Sequence, residues 1–233
     1  MTNRHALPLY VQISEMLIRD IHAGRLVDGE RLPPEREMAE QLSTSVGTLR
    51  KALKDLTEKG MLERVQGSGN YVRARRDAPA VYAFFRVELV EGGGLPTAEL
   101  LSVDRLQKPD GLPSFGTSSV GHRIRRLRRL NGIPAVLEEI WLDGSHADSI
   151  AAEDLRESLY LFYREALNLW ITRAEDALGM APVPEWAPTE FGVQPGTNTL
   201  QAQRISWGQD GARAEVSLNW INTDVARYVS RLA

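Results

Sequence analysis

The sequence predicts an α+β protein of two domains, with three short helices and a β-hairpin first and a larger antiparallel-sheet domain after them. Apolar residues repeat at helical spacing over the first sixty positions, and strand-like runs separated by turns dominate after residue 80. The charge also changes sign along the chain. Residues 1–76 hold 13 Lys and Arg against 10 Asp and Glu, a net +3, whereas the rest hold 15 against 21, a net −6. A mildly basic head on an acidic body suits one nucleic-acid-facing domain.

Two helices are predicted before residue 43. The first begins at Pro8 and ends at Gly24, and its apolar residues recur every four positions: Leu9, Ile13, Leu17 and Ile21. The second begins at Pro33-Pro34 and places three apolar residues inward: Met38, Ala39 and Leu42.

A third helix is predicted from Ser45, whose hydroxyl is suited to cap it, to Gly60. Its apolar face consists of Leu49, Ala52, Leu53 and Leu56. Only residues 43–45 separate it from the second helix, which is the spacing of a helix-turn-helix. The opposite face carries polar side chains suited to base edges or phosphates in a major groove: Thr48, Arg50, Lys51 and Lys54.

A β-hairpin follows, with strands at 61–65 and 70–72 around the turn residues Gln66-Gly67-Ser68-Gly69. We interpret it as the wing of a winged helix-turn-helix domain over residues 1–76. The charged run 73–79 lacks a periodic apolar face, so it is the predicted linker to a second domain over residues 81–233.

The second domain is predicted to contain six strands and two helices. The strand-like runs are 80–90, 98–106, 121–130, 135–142, 199–207 and 214–222, and the helical ones are 152–166 and 172–179. Turns such as Asn131-Gly132 and Asp210-Gly211 indicate antiparallel pairing. Four tryptophans are expected in the core rather than in a ligand cage: Trp170, Trp186, Trp207 and Trp220.

Composition argues against several classes of protein. The chain has no cysteine, and its four histidines show neither HxH nor HExxH spacing, so we expect no metal site, no cofactor and no catalytic residues. No signal peptide and no apolar run of about 18 residues is present, which favours a cytoplasmic protein without a membrane partner.

The first 72 residues resemble the winged helix-turn-helix of the GntR family of bacterial regulators. The resemblance rests, in order, on PLYVQI, GERLPPEREMAEQL, GTLRKALKDLTEKGML and QGSGNYV. Two positions depart from it: Pro34 stands where the family usually has Ser, and Val46 stands where many members have Arg. The loss of that arginine puts the usual base preference in doubt.

The resemblance implies a partner, double-stranded operator DNA, and roles for individual residues. Arg50 is the main candidate for base or phosphate contact, Arg36 resembles the family arginine that anchors the DNA, and Ser45 is suited to touch phosphate. Gly67, with Gly69, lets the wing approach a groove closely. Lys51, Lys54 and Lys59 are equally well explained as solvated charges that only add to the basic field.

Residues from about 81 onward resemble the UTRA effector domain of the HutC-type branch, whose fold is similar to chorismate lyase. The matching text is TAELLSV, RIRRLRRLNGIPAVLEEIWL, SLYLFYREAL, AEDALGM, VPEWAPTEFGVQPGT and ARYV. The resemblance implies these effector-binding residues: Arg126, Arg128, Glu138, Ser158, Tyr160 and Glu215. Positions 126 and 128 share one face of a strand, so two guanidinium groups can grip a small anionic metabolite. The alternative is a cross-strand salt bridge to Glu138.

Together these features predict a homodimeric repressor that binds a pseudo-palindromic operator and is released by its effector. Two alternatives remain at this level: a DNA-binding protein whose second domain only dimerises, and an enzyme related to chorismate lyase.

Overall fold

The computed structural model describes residues 8–22, 24–73, 84–155 and 158–231. They form two compact units, a head that ends at Arg86 and includes residues 229–231, and a body that spans Val87–Tyr228. No helix in the described residues is long and apolar enough to cross a membrane.

The head contains the three predicted helices. They are α1 (Leu9–His22), α2 (Glu35–Gln41) and α3 (Val46–Glu58). Ser45 caps α3 as predicted, because its Oγ accepts a hydrogen bond from the Thr48 amide at 3.1 Å. Pro34 precedes α2 in an extended conformation, so the helix begins directly after the proline pair, at Glu35.

The helices enclose one small apolar core. Its fully buried members come from α1, α3 and the segment after α3: Ile13, Ile18, Leu49, Ala52, Leu56 and Met61. Met38 and Ala39 of α2 are buried as predicted, whereas Leu42 is only half-buried. Each of the Ile, Leu and Met side chains among them contributes about 1.5–3 kcal/mol when it is fully buried, which holds the short helices together.

The wing is a three-stranded arrangement. Its hairpin consists of β1 (Leu62–Val65) and β2 (Gly69–Val72), with Leu62 opposite Val72. The segment before α2 adds to the other side of β2, because the Leu32 amide donates to the Asn70 carbonyl at 2.9 Å. The sequence predicts the hairpin but not this third segment.

The body is built on a six-stranded antiparallel sheet. Its strands lie in the order β4-β5-β6-β9-β8-β7, and a separate pair is formed by β3 and β10. The strand bounds are β3 (Val87–Leu89), β4 (Pro96–Gln107), β5 (Val120–Leu130), β6 (Ile133–Asp143), β7 (Arg173–Pro182), β8 (Asn198–Trp207), β9 (Arg213–Ile221) and β10 (Ala226–Tyr228).

Helix α4 (Leu159–Ala166) covers one face of this sheet. Its Leu159, Phe162 and Tyr163 pack in one cluster with Ile124 of β5 and Ile140 of β6. A second cluster joins Leu127, Leu137 and Trp220 to the segment that follows β7, through Val183 and Phe191. Apolar side chains from the central strands therefore contribute to separate clusters, one of which includes α4.

The turn at residues 131–132 has the predicted hairpin chemistry. Asn131 and Gly132 both have positive φ, 50° and 80°, which is the backbone of a type I′ turn. Asn tolerates this conformation and Gly adopts it without strain, so the pair connects β5 directly to β6.

Several predicted elements of the body are corrected by the structure. Residues 172–179 were expected to be helical, but Arg173–Pro182 is a strand, β7, paired along its length with β8. The expected helix 152–166 is broken into a 3₁₀ turn at Ala152–Asp154 and α4, which starts after its cap Ser158.

The first predicted strand is confirmed in part. Among the described residues 84–90, Val87–Leu89 is the strand, and residues 80–83 of the predicted run lie outside the described ones, as do residues 74–79 of the predicted linker. The last strand, Ala226–Tyr228, is too short to give a pattern, and the sequence does not predict it.

The tryptophans do not form the single core cluster that was expected. Trp220 is buried and meets Trp186 edge-on, with 6.0 Å between ring centroids. Trp170 is 56% exposed, so the expectation is wrong for it. Trp207 is half-buried beneath the guanidinium group of Arg173, 4.3 Å from its ring centroid.

Candidate nucleic-acid interface and ligand site

Helix α3 presents a polar face to solvent. Arg50, Lys51 and Lys54 are exposed on it, because the apolar residues between them turn inward to the core. Thr48 is half-buried, and its Oγ1 lies 2.9 Å from the Ser45 Oγ. Ser45 is therefore already engaged as the cap of the helix.

The Arg50 side chain is held by a carboxylate on the preceding helix. Its Nε donates to an Oε2 of Glu35 at 2.6 Å, while the side chain of Arg50 remains 65% exposed. Glu35 begins α2, so this ion pair ties the two helices of the helix-turn-helix at their outer surface. The sequence alone did not identify Glu35 as a partner of Arg50. The one available signal was an acidic residue at the start of α2 and a basic residue in the first half of α3.

A cleft of about 770 Å³ lies between the start of α2 and the wing. Arg36 lines it from α2, and Gly67 and Gly69 line it from the wing. Gly67 has a left-handed backbone conformation, with φ +77°. Nothing lies within 4 Å of the position that a Cβ would take there, so the wing tip is open. The structure thus brings Arg36 and Gly67 to one surface.

Lys59 does not extend this exposed basic surface freely. Its ammonium group pairs with Glu15 at 3.0 Å and with Asp55 at 2.7 Å. Burial lowers the pKa of Lys59, but the two carboxylates outweigh burial and leave the pKa raised above its usual value. These contacts favour a structural role for Lys59, tying α1 to α3.

Three of the predicted effector-binding residues form one buried ion-pair cluster. Arg126 and Arg128 lie on β5, and both contact Glu138 of β6, at 2.6 Å and 2.7 Å. Arg126 and Glu138 are direct cross-strand partners. The salt bridge that the sequence left open as an alternative is therefore present.

Within this cluster, two guanidinium groups contact the same carboxylate. Burial is the largest influence on the pKa of Glu138 and would raise it, but the two arginines lower it to about 2. Glu138 is thus an anion at neutral pH, and burial lowers the pKa of Arg126.

A second polar cluster surrounds Glu215 on β9. Its carboxylate accepts hydrogen bonds from Tyr163 at 2.7 Å, from Ser206 at 3.1 Å and from Tyr160 at 3.2 Å. Burial raises the pKa of Glu215, and the bonds from Tyr163 and Ser206 oppose this only in part. This arrangement offers hydroxyl and carboxyl groups to a polar ligand.

Tyr163 links the two clusters. It donates to Glu215, and burial raises its pKa well above the usual value, an effect that Glu215 reinforces and the charge of Arg126 partly opposes. Ser158 has a different placement: its buried Oγ caps α4 by accepting from the Leu161 amide at 3.4 Å. The structure therefore brings Tyr160 and Glu215 together and shows Ser158 in a capping role.

Sequence reasoning missed a further ion pair beside Tyr160. Arg204 of β8 binds Asp176 of β7 through two bonds of 2.6 Å, and the Tyr228 hydroxyl also donates to Asp176 at 2.6 Å. The error at residues 172–179 hid this pair, because a helix there would not place Asp176 opposite Arg204. In the described ranges, no three His, Asp or Glu side chains are grouped to hold a metal ion.

Two family models match the chain in the order of its two units. Residues 9–72 match the model described as bacterial regulatory proteins, gntR family, and residues 91–227 match the UTRA domain. The second match alone covers more than half of the chain.

Named relatives match nearly the whole length. The chain is 62% identical over 227 residues to the HTH-type transcriptional regulator SmoD of Agrobacterium fabrum, covering 97% of each chain. It is 28% identical to the HTH-type transcriptional repressor NagR of Bacillus subtilis, again over 97% of each. It is 27% identical to the Mannosyl-D-glycerate transport/metabolism system repressor MngR of Escherichia coli, covering 95% and 94%.

Solved structures support the same architecture. The possible transcriptional regulator YydK of Bacillus subtilis aligns with a TM-score of 0.53 at 21% identity, covering 96% of this chain and 99% of that one. The ligand-binding domain of a putative GntR-family regulator from Bordetella bronchiseptica aligns with a TM-score of 0.55 at 25% identity, covering 64% and 98%.

Proposed function

Because the chain belongs to the GntR family of bacterial transcription regulators and carries a UTRA domain, we propose that it is a ligand-responsive repressor. It binds a pseudo-palindromic operator as a homodimer, and a small anionic metabolite releases it. The DNA-binding domain spans residues 1–76 and the effector and dimerisation domain spans residues 81–233.

The exposed face of α3 supports the DNA-binding part of the proposal. Arg50, Lys51 and Lys54 extend from a helix whose other face is buried, which is the arrangement needed to enter a major groove. Arg36 and Gly67 border the cleft next to it and contact the sugar–phosphate backbone. Two such heads related by a twofold axis read the two halves of the operator.

The observation that carries the ligand-binding part is the buried pair of arginines that shares one carboxylate. Glu138 holds the two guanidinium groups of β5 at one place, so both can donate hydrogen bonds to a carboxylate or phosphate of the ligand. Burial strengthens that interaction, because little water competes for the arginines.

The Glu215 cluster supplies the second half of ligand recognition. The hydroxyl groups of Tyr160, Tyr163 and Ser206 converge on one carboxylate, and this set suits a ligand that also carries hydroxyl or amino groups. A sugar phosphate, a sugar acid or an amino-acid derivative has the required combination of an anionic group and polar substituents.

We propose that the ligand weakens operator binding and thereby relieves repression. NagR and MngR are named as repressors and match the chain over nearly its full length, which supports this direction. Linkage requires that a ligand which weakens operator binding is itself bound less tightly by the DNA complex, with a coupling of typically about 1–3 kcal/mol.

A thermal-shift screen against sugar phosphates, sugar acids, phosphonates and amino-acid derivatives tests the ligand site without knowledge of the operator. A specific ligand raises the melting temperature by mass action. We expect the shift to disappear in Tyr160→Phe, which removes one hydroxyl without disturbing the arginine cluster, and in Arg128→Gln. The Tyr10→Phe change at a half-buried position of α1 serves as the control, since Tyr10 lies in the head.

The alternative is a second domain that only dimerises. It is favoured if a broad panel gives no shift. A ligand that shifts Tyr160→Phe as much as the unchanged protein would instead remove Tyr160 from the ligand site.

A further inference from the structure

The cleft between α2 and the wing carries more positive charge than the family resemblance assigns to it. Its lining contains Arg31, Arg36 and Arg64 against the single carboxylate of Glu35. That carboxylate is already engaged, because Glu35 accepts the 2.6 Å hydrogen bond from Arg50. The lining of the cleft is therefore basic, and an anion is the group that it would bind.

Arg31 reaches this cleft from the third segment of the wing. The backbone on either side of it is bonded to β2, since the Val72 amide donates to the Glu30 carbonyl at 2.8 Å and the Leu32 amide donates to Asn70. Arg31 itself forms a β-bridge with Tyr71. Its main chain is thus held as firmly as a strand of the hairpin.

The side chain of Arg31 lies against the wing tip. A Cβ built on Gly69 would be 3.2 Å from Arg31 Nε, so the guanidinium group crosses the strand where β2 begins. Gly69 has φ +133°, and the absence of a side chain there leaves room for the arginine. The neighbouring tip is stiffened by a 2.6 Å hydrogen bond between Ser68 and Tyr71.

The charge of Arg31 is not neutralised by an ion pair with a described residue of the head. Arg73 is paired with Glu63 and Arg50 with Glu35, whereas no carboxylate in the described part of the chain forms an ion pair with Arg31. Arg31 is exposed, as is Arg36 on the other wall of the cleft. A phosphodiester group is small, anionic and able to accept hydrogen bonds from both arginines.

We propose that Arg31 is a DNA-backbone contact that joins the surface of Arg36 to the wing, holding an operator phosphate in the cleft. The proposal rests on the proposed function and adds a residue that the recognition pattern of α3 and the wing glycines does not include. A phosphate contact sets the position of the head on the duplex without reading its sequence.

The test is the salt dependence of DNA binding by the full-length protein, measured by fluorescence anisotropy on a selected operator duplex and on a scrambled duplex. Arg31→Gln is expected to weaken binding to both duplexes alike and to reduce the slope of log K against log salt by about 0.9, one phosphate contact. Arg31→Lys keeps the charge and is expected to keep the slope.

Arg105→Gln is the matched control, because it removes the same charge from an exposed position on the body. Equal slopes for Arg31→Gln and Arg105→Gln would overturn the inference, as would a change in base preference at one operator position. A loss of affinity in both Arg31→Gln and Arg31→Lys at an unchanged slope would also overturn it, since Arg31 would then only support the wing. If the unchanged protein bound neither duplex, the proposed function itself would fail.

Discussion

The contact between Arg50 and Glu35 shows how one residue pair sets both the charge and the direction of the recognition surface. The 2.6 Å bond engages Nε of the guanidinium group and leaves most of the side chain exposed. Because Glu35 holds Arg50 from one side, it limits the rotamers of the arginine. In the proposed DNA complex, Glu35 would also place a negative charge beside the phosphates.

We predict that Glu35→Gln raises affinity for a scrambled duplex and narrows the difference between operator and scrambled DNA. The lost carboxylate no longer repels phosphate, and the released Arg50 is less well oriented for base contact. Competition binding with the two duplexes measures both effects. Glu37→Gln is the control, because it removes the same charge from the same helix, where Glu37 accepts a 3.3 Å hydrogen bond from Gln41. If the ratio of operator affinity to scrambled-duplex affinity changed equally in both variants, the Arg50–Glu35 ion pair would have no part in sequence recognition.

Glu138 gives a second prediction at the residue scale. Glu138→Gln leaves two buried guanidinium groups without their shared anion and is expected to destabilise the body by about 3–5 kcal/mol. Glu99→Gln, whose 56% exposed side chain pairs with Arg129, is expected to cost less than about 1 kcal/mol. Thermal unfolding of both variants at pH 7 makes the comparison.

The pH dependence of that loss follows from the sign of the pKa shift. The pKa of Glu138 in the folded protein, about 2, lies below its ordinary 4.5, so its stabilising effect is present above about pH 4.5 and is lost as the pH falls toward 2. The difference between the unchanged protein and Glu138→Gln should therefore shrink when the measurement is repeated near pH 3.5. A difference that grew in acid would contradict the assigned ion pair.

At the scale of elements, the head was predictable and one edge of the sheet was not. Local signals define the head: Ser45 caps α3, Gly60 with φ +71° follows its end, and the apolar spacing places Leu49 inward. The segment 172–179 contains good helix formers, yet it pairs with β8, because long-range hydrogen bonds override weak propensity.

The candidate site was predictable only where its members share a strand. Arg126 and Arg128 follow from the alternation of β5. The pairing of Glu138 with Arg126 does not follow from the turn at residues 131–132 alone, because the register shifts between Arg128 and Arg129. Arg204 and Asp176 did not follow, because their meeting depends on the strand β7 that the sequence pattern concealed. Tyr163 was missed for another reason: on a helix packed against a sheet, an aromatic residue has the same pattern in a core as in a polar cluster.

The wing allows the role of Gly67 to be separated from its backbone conformation. Gly67 has φ +77°, and no atom lies within 4 Å of the position that its Cβ would take. We expect the head to tolerate Gly67→Asn, because Asn adopts positive φ at a cost of about 1 kcal/mol. We predict that it nonetheless weakens operator binding, since the new side chain meets the duplex. Gly29→Asn is the control, with φ +78° and equally open space away from the wing tip. Equal affinities for the two variants would assign Gly67 to the turn alone.

At the scale of the whole molecule, the proposal joins a DNA-binding head to a ligand-binding body through a coupling energy. In a twofold dimer, two heads engage half-sites separated by one helical turn, about 34–36 Å, or a multiple of it. A ligand that changes the freedom or separation of the heads lowers the probability that both are engaged together. The response therefore requires both units and the dimer.

The most direct measurement of this account is an operator titration by fluorescence anisotropy with and without the metabolite that gives the largest thermal shift. We predict that the metabolite weakens operator binding by roughly 5- to 150-fold, the usual range of coupling, and leaves binding by Tyr160→Phe nearly unchanged. An operator affinity that stays constant while the metabolite saturates the protein would contradict the claim that the body controls the head.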